Sequence, residues 1–409
     1  MSEADPRPGA LAGIRIVDLT QMLAGPYCTM MLADQGAEVI KVEPFGGDYV
    51  RQDGPFRAED KVRAFSGYFA SVNRNKKSIA IDLKAKGGRE LLIRLCENAD
   101  AVVENFRVGV MDRLNLSYEY LRERNPKLVY ASVRGFGDPR TGRSPYADWP
   151  AYDVVAQAMG GIIGINGPDR NSPTKVGPGV GDIVPGAMAA FGVVCAILNA
   201  QRTGRGQYVD VAMVDTILAL CERIVYQRSV MGNVARPEGN RHPMFALFGM
   251  VPAKDGWITL AAHTDDRWKI LCELLGCPEL IDDPRVATRP ARVANQDVVY
   301  GEIGGRTSQF TKRELLALIG GKLPFAPVND IDDIAADPHF AARDMLVEVE
   351  QPGCDEPVTI AGVPIKMSET PAQIRRRAPI LGEDTDQILA QAGYSSAEIV
   401  EMRRGQVVK

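Results

Sequence analysis

Asp182 follows three spaced glycines, Gly177, Gly179 and Gly181, and stands just before a long apolar run. Glycines at that spacing let the chain turn sharply and let other groups approach closely. A carboxylate there has two uses. As a helix N-cap it accepts an amide from the helix it starts, the commoner fate of an aspartate before a helix. As a nucleophile it attacks an acyl carbon and forms a mixed anhydride, provided water is kept out. Residue type and spacing leave both open. Arg107 and Arg113 come just after an apolar run ending at Glu104, and Arg74, Lys76, Lys77 and Lys84 surround another at Ile79 to Leu83. Such cations suit phosphates, and their plainer role is a solvated face.

Other chemistries find less support. His242, His263 and His339 are far apart with no partner at helical spacing, so a metal site is not expected. There is no Gly-x-Ser-x-Gly elbow and no Walker loop. The loop Thr-Gln-Met-Leu-Ala-Gly-Pro, ending at Pro26, carries one glycine where a dinucleotide fingerprint needs three, so a nicotinamide or flavin role is poorly supported.

The elements that must position these residues alternate in type. Ile14 to Leu19 reads as a strand, Pro26 to Gln35 as a helix and Glu38 to Glu43 as a strand. Ile79 to Leu83, Gly88 to Cys96 and Ala101 to Glu104 repeat the unit, and Leu128 to Val133 follows a helix over Ser117 to Arg124. This is the pattern of an open parallel α/β sheet, which binds ligands beyond the carboxyl ends of its strands. The loops Thr20 to Gly25, Pro44 to Gly54 and Asn105 to Gly109 are where chemistry is expected. Gly160, Gly161, Gly164 and Gly167 read as turns joining two helices, the second starting near Pro185. A strand over Gln207 to Val211 and a helix over Val214 to Met231 lead to a polar stretch, Gly232 to Pro243, that reads as a linker. Beyond it come strands at Gly249 to Pro252 and Trp257 to Ala261, and helices near Asp265 to Leu275, Asn295 to Gly304 and Lys312 to Ile319. A strand around Leu346 to Val349 and a helix over Ser396 to Arg404 are expected to return to the first domain.

The 409 residues are 45% hydrophobic and 24% charged, an ordinary globular balance. A formal net charge of -4 gives no overall basic field, so neither nucleic acid nor an anionic membrane is an expected partner. The apolar stretch Gly186 to Ala200 is shorter than the ~20 residues a bilayer span needs. The N-terminal Met-Ser-Glu-Ala-Asp-Pro-Arg-Pro lacks the basic start and apolar centre of a secretory signal, and seven cysteines without a Cys-x-x-Cys pair suggest reduced, buried thiols. The expected location is the cytoplasm.

Several blocks together resemble the family III CoA-transferases. They are Leu11 to Thr20 with Ala24-Gly-Pro26 and Leu32 to Glu43, then Asn75-Lys-Lys-Ser-Ile-Ala-Ile-Asp-Leu-Lys84, and Val103-Glu-Asn-Phe-Arg107. Arg202-Thr-Gly-Arg-Gly-Gln207 with Met213, and Leu381-Gly-Glu-Asp-Thr-Asp386, complete the set. The resemblance implies an α/β protein with a Rossmann-like large domain made by both chain ends (1–225 and 331–409), a smaller α/β domain between them (226–330 with its linker) and an interlocked homodimer. It places the nucleophile on Asp182, aided by Tyr152-Asp-Val-Val-Ala-Gln157 upstream. In that chemistry the aspartate becomes an acyl anhydride and then an aspartyl-CoA thioester before an acceptor carboxylate takes the CoA. CoA contacts fall on Leu23, Ala24, Ile81, Lys84, Asn105, Phe106, Arg107, Arg113 and Tyr152, and the substrate pocket on Gln21 and Met213. Coenzyme A enters as substrate, with no prosthetic group.

Formyl-CoA transferases of this family carry a glutamine where Leu23 stands, a basic residue where Pro44 stands, and a run of four glycines absent between Phe245 and Asp266. A short acid such as succinate, malate or a mesaconate-like dicarboxylate is therefore the expected acceptor. The alternative within the superfamily is an α-methylacyl-CoA racemase, which needs two groups to remove and return an α-proton. It has a histidine where Tyr152 stands and a glutamate near Thr264, although His263 lies beside the latter. The second alternative is a CoA-binding protein without catalysis.

Overall fold

The computed structural model describes residues 7–409, so the first six residues of the N-terminal stretch read for a leader lie outside the described residues. The chain divides into two units. One runs through Ile162 and adds Val176–Tyr226 and His339–Lys409; the other comprises Ile163–Lys175 and Gln227–Pro338.

In the first unit, β-branched runs alternate with amphipathic segments. They give β1 (Arg15–Asp18), α1 (Ala24–Asp34), β2 (Glu38–Glu43), α2 (Gly67–Asn73), β3 (Lys77–Ala80), α3 (Lys86–Glu97), β4 (Ala101–Glu104), α4 (Val110–Arg113), α5 (Tyr118–Arg124) and β5 (Val129–Arg134). After these come α6 (Asp153–Met159), α7 (Val180–Thr203), β6 (Tyr208–Ala212) and α8 (Met213–Leu220). The six strands are all parallel and ordered β3-β2-β1-β4-β5-β6. Every residue of β4 and β5 is buried, as central parallel strands covered on both faces should be. Strand order reverses between β1 and β4, which opens a crevice beyond their carboxyl ends. Of the elements here, α2 and α4 were not foreseen from sequence: at seven and four residues they are too short for periodicity to stand out.

Helix α7 departs most from expectation. It begins at Val180, well before Pro185, which sits inside it and leaves the Gly181 carbonyl without its helical donor. At 24 residues it is long and apolar enough, by length and composition, to cross a membrane, unlike the shorter run read from sequence. Within the first unit it packs against α1, α6, α8, β5 and β6. The helix expected over Val214 to Met231 is two, α8 and Glu222–Met231, broken at Cys221.

The second unit is built on an antiparallel sheet of β7 (Arg241–His242), β8 (Phe245–Ala253), β9 (Gly256–Ala261) and β10 (Phe325–Pro327). Trp268, Leu271, Ile303 and Leu315 fill its core. The stretch read as a linker thus contains a strand. The strand expected at Leu346–Val349 is β11, and it pairs with β12 (Val358–Ala361), which the sequence did not reveal.

Candidate active site

Two loops from the crevice, after β1 and after β4, line a cavity of about 380 Å³ together with Tyr68, Arg134, Trp149, Tyr152, Asp182 and Met213. The cavity brings together Gln21, Leu23, Ala24, Asn105, Phe106, Arg107, Tyr152, Asp182 and Met213 of the expected set. The loop Pro44 to Gly54 does not line it. Its Asp48 instead accepts the Met22 amide at 3.2 Å, holding a residue whose φ of 67° costs a side-chain-bearing residue energy.

Asp182 is not a cap. It is the third residue of α7, and Gly179 takes the N-cap position with no side-chain bond. The first-turn amide of Gly181 donates instead to Asp153 on α6 at 2.8 Å, and Asp153 is itself held by the buried Gln157 amide at 2.9 Å. A neighbouring carboxylate therefore meets the capping need, and among the described residues no side chain or amide bonds to the Asp182 carboxylate. Burial pushes its carboxyl up to about 7, with repulsion from Asp153 adding to the effect. A desolvated, unpartnered carboxylate is a competent nucleophile once ionised.

Its aim is set by glycine. Gly186 lies four residues on, on the same face of α7, where an added Cβ would be 2.4 Å from the Ala24 carbonyl oxygen. That close approach seats α7 against the start of α1, so Asp182 shares the cavity with Leu23 and Ala24. Helix α1 has no side-chain cap, and its N-terminal dipole suits an oxyanion developing beside the nucleophile.

Asn105 brackets the opposite loop: its side chain accepts the Gln21 N–H and donates to the Gln21 carbonyl, both at 2.8 Å. This side chain, which also lines the cavity, fixes the Gln21 backbone from both sides. The Gln21 side chain and the exposed Arg107 guanidinium have no partner among the described residues. Tyr152 is 64% exposed at the cavity edge, and Met213 is buried as the first residue of α8.

Three expected contacts fall elsewhere. Ile81 is 1% exposed, packed in the core and bridged to Val408, so its side chain has no face for a ligand. Lys84 and Arg113 are exposed but outside the cavity wall. The basic cluster around β3 is mostly internal. Arg74 pairs with Asp34 at 2.8 Å, Lys76 with Asp18 at 3.0 Å and Lys77 with Glu38 at 2.7 Å, leaving only Lys84 of the four without a described partner. His263 and Thr264 belong to the second unit, where Thr264 caps the helix starting at Asp265. All seven cysteines are free thiols; Cys195, expected to be buried, is exposed on α7.

Sequence reasoning missed Tyr68, Asp153 and Arg134. The Tyr68 hydroxyl is pushed up to about 12 by burial and by the charge of Asp182, so it stays a donor. Asp153 had a legible signal, a carboxylate opening a helix with Gln157 one turn on. So had Arg134, which ends an apolar strand beside another that ends in Glu104. The second unit holds a larger, open cavity of about 1190 Å³. Arg241 pairs with Asp297 and Arg170 with Glu238, Asp169 accepts the Asn171 amide and the Ser172 hydroxyl, and among the described residues the cavity offers no unpartnered carboxylate, while Arg236 has no described partner.

A parallel α/β sheet whose switch-point loops share a cavity with an aspartate that has no described partner, near an uncapped helix start, is an arrangement able to carry acyl transfer. The chain belongs to CoA-transferase family III, which it matches over residues 11–385. It is 47% identical over 388 residues to the succinyl-CoA:mesaconate CoA-transferase of Haloarcula hispanica, covering 95% of this chain and 98% of that one. It is 39% identical over 397 residues to the succinate–glutarate CoA-transferase of Agrobacterium fabrum, with 96% and 98% covered. A CAIB/BAIF family protein from Brucella suis has the same fold, with a TM-score of 0.84 and 36% identity over 94% of this chain and 100% of that one.

Two outcomes are expected. Attack by the ionised Asp182 carboxylate would make turnover rise with pH and level off above an inflection near 7; D153N removes the repulsion, and an inflection that stays in place would refute this coupling. G186A should force α1 and α7 apart and lower kcat on the order of 10²-fold, as misplacement by about 1 Å does; near wild-type kcat would show that the helix contact does not aim Asp182.

Proposed function

We propose that this enzyme moves CoA from an acyl-CoA donor such as succinyl-CoA to a short dicarboxylic acid of the mesaconate or malate kind, through covalent intermediates on Asp182. The observation that carries the reading is the half-buried Asp182 carboxylate, left without a partner in a cavity it shares with the start of α1 and with Arg107. The names of the two relatives above support the choice of dicarboxylates, as does Leu23 at the position where formyl-CoA transferases carry glutamine.

The reaction balances without an outside acid, base or oxidant. Asp182 attacks the thioester carbonyl and the CoA thiolate leaves, giving a mixed anhydride. The thiolate attacks the aspartyl carbonyl of that anhydride and releases the donor's carboxylate, giving an aspartyl-CoA thioester. The acceptor carboxylate repeats the exchange in reverse and frees Asp182. The uncapped start of α1 stabilises each oxyanion, with the Tyr68 hydroxyl and Gln21 amide as further donors. Arg107 meets a CoA phosphate, and Lys84 and Arg113, outside the cavity, serve the nucleotide farther from the reacting carbon. Tyr152 and Phe106 flank the pantetheine, and Met213 bounds the acyl group.

The enzyme works in this reading as an interlocked homodimer in the cytoplasm. Support for pairing comes from α7, where Met188, Phe191, Val194 and Leu198 form an apolar stripe with Phe191 70% exposed. Free thiols at all seven cysteines fit a reducing compartment.

Incubation with succinyl-CoA and then hydroxylamine should leave a hydroxamate on Asp182, detected by mass spectrometry. D182A should lose transfer while still binding CoA. Wild-type turnover in that variant would reject the mechanism, and an unlabelled wild-type protein that binds CoA would favour a binding role. Light scattering should give twice the chain mass at micromolar concentration; a monomer that still turns over would remove the dimer.

A further inference from the structure

Arg134 lines the cavity, yet its nitrogens face inward. Nε donates to the Phe106 carbonyl at 3.0 Å, Nη2 pairs with Glu104, and Nη1 pairs with Asp138 and reaches the Tyr208 hydroxyl at 3.4 Å. Only 8% of the residue is exposed. Glu104, wholly buried, accepts the Phe106 N–H at 2.7 Å through its other oxygen. One ion pair thus holds both polar groups of Phe106, the N–H through the carboxylate and the C=O through the guanidinium. Phe106 lies between Asn105, which brackets Gln21, and Arg107, whose guanidinium is exposed and has no described partner. The two arginines of the cavity wall therefore differ in kind: Arg107 is available to a ligand, and Arg134 is committed to the loop that presents Arg107.

We propose that Glu104 and Arg134 are positioning residues that set the affinity for the CoA ester by fixing the Phe106 peptide, and with it Arg107, without touching the ligand. Their charges end two neighbouring strands, β4 and β5, so the loop is anchored to the sheet itself. A buried pair is a costly way to hold a loop, since stripping both ions of water is unfavourable. In return the carboxylate and the guanidinium together hold the two peptide groups on either side of the Phe106 Cα, which a single hydrogen bond cannot do. The inference rests on the reading that this cavity takes a CoA ester.

The test uses the full chain and measures CoA affinity by calorimetry, alongside KM and kcat with succinyl-CoA and mesaconate. R134M and R107M should each weaken CoA binding and raise KM by about 10-fold, with kcat falling by less than about threefold, the split expected when ground-state and transition-state binding are lost together. The double variant R134M/R107M should be no worse than R107M alone within about twofold, because residues that act through one another are not additive. R134K, which keeps one of the two donor directions, should recover part of the loss, and E104Q, which keeps an acceptor, should cost about threefold; both also serve if R134M folds poorly. Wild-type affinity in R134M and E104Q would overturn the proposal. So would a multiplicative loss of about 100-fold in the double variant, since Arg134 would then contact the ligand independently. Failure of the wild-type chain to bind CoA would instead reject the functional reading of the cavity.

Discussion

The loop after β1 can present Gln21, Met22 and Leu23 to a ligand because six buried charges lie beneath it. Asp18, at the end of β1, pairs with Lys76 and accepts the hydroxyls of Thr20 and Thr29. Lys41 on β2 reaches the Thr20 carbonyl at 2.8 Å and Asp48 at 3.1 Å, and Arg51 pairs with Glu43 at 2.7 Å while stacking over the Phe69 ring. Burial alone would raise the Asp18 carboxyl; Lys76, Lys41 and the two hydroxyls outweigh it and hold it below the usual range. Removing one member of such a network strands a buried charge, at a cost of about 3–5 kcal/mol. That asymmetry is what gives the loop a single conformation, including the left-handed Met22. A catalytic loop held only by apolar contacts would have more than one.

The strands and helices of the parallel sheet were legible because hydrophobic runs of fixed length dominate them, whereas the strand order, and with it the switch point, comes from the structure. Glu38–Glu43, Ala101–Glu104 and Lys312–Ile319 have the boundaries read from sequence. The start of α7 was not legible, for a physical reason. Gly177, Gly179, Gly181 and Pro185 are all helix-unfavourable by local propensity, and what makes Val180 to Val184 helical is tertiary: α6 supplies Asp153 as the cap, and glycines at 181 and 186 let α6 and α1 press close. A pattern that looked like a turn is a helix start built to be crowded. The cluster at Arg74 to Lys77 failed differently. Charge density along a sequence does not reveal whether the counter-ions are phosphates or carboxylates of the same fold, and here Asp34, Asp18 and Glu38 were already waiting.

The same crowding removes one of the two uses open to Asp182, that of helix cap. An aspartate near a helix start ordinarily satisfies the free amides, and doing so lowers its pKa and blunts its nucleophilicity. By assigning that duty to Asp153, the fold leaves Asp182 with desolvation and a like charge, both of which raise its energy as an anion. The strain is local and is held by Gln157, which is buried and bonded to Asp153 and to the Val176 amide. In the proposed reading, destabilising the ionised carboxylate narrows the step to an acyl adduct, in which the charge is gone.

Carboxylate exchange at a thioester also dictates the form of the cavity. Donor and product thioesters are of similar energy, so the reaction needs little driving force, but every covalent intermediate is open to hydrolysis, which is far downhill. Selection then falls on exclusion of water rather than on acid–base groups, and the described cavity fits that demand. It has no histidine, one uncommitted cation at Arg107, aromatic rings at Tyr68, Phe106, Trp149 and Tyr152, and a volume of about 380 Å³, at the small end for a ligand site. A space of that size suits a short acid and the end of a pantetheine arm; in the proposed reading the nucleotide lies outside it, on the side where Lys84 and Arg113 are exposed.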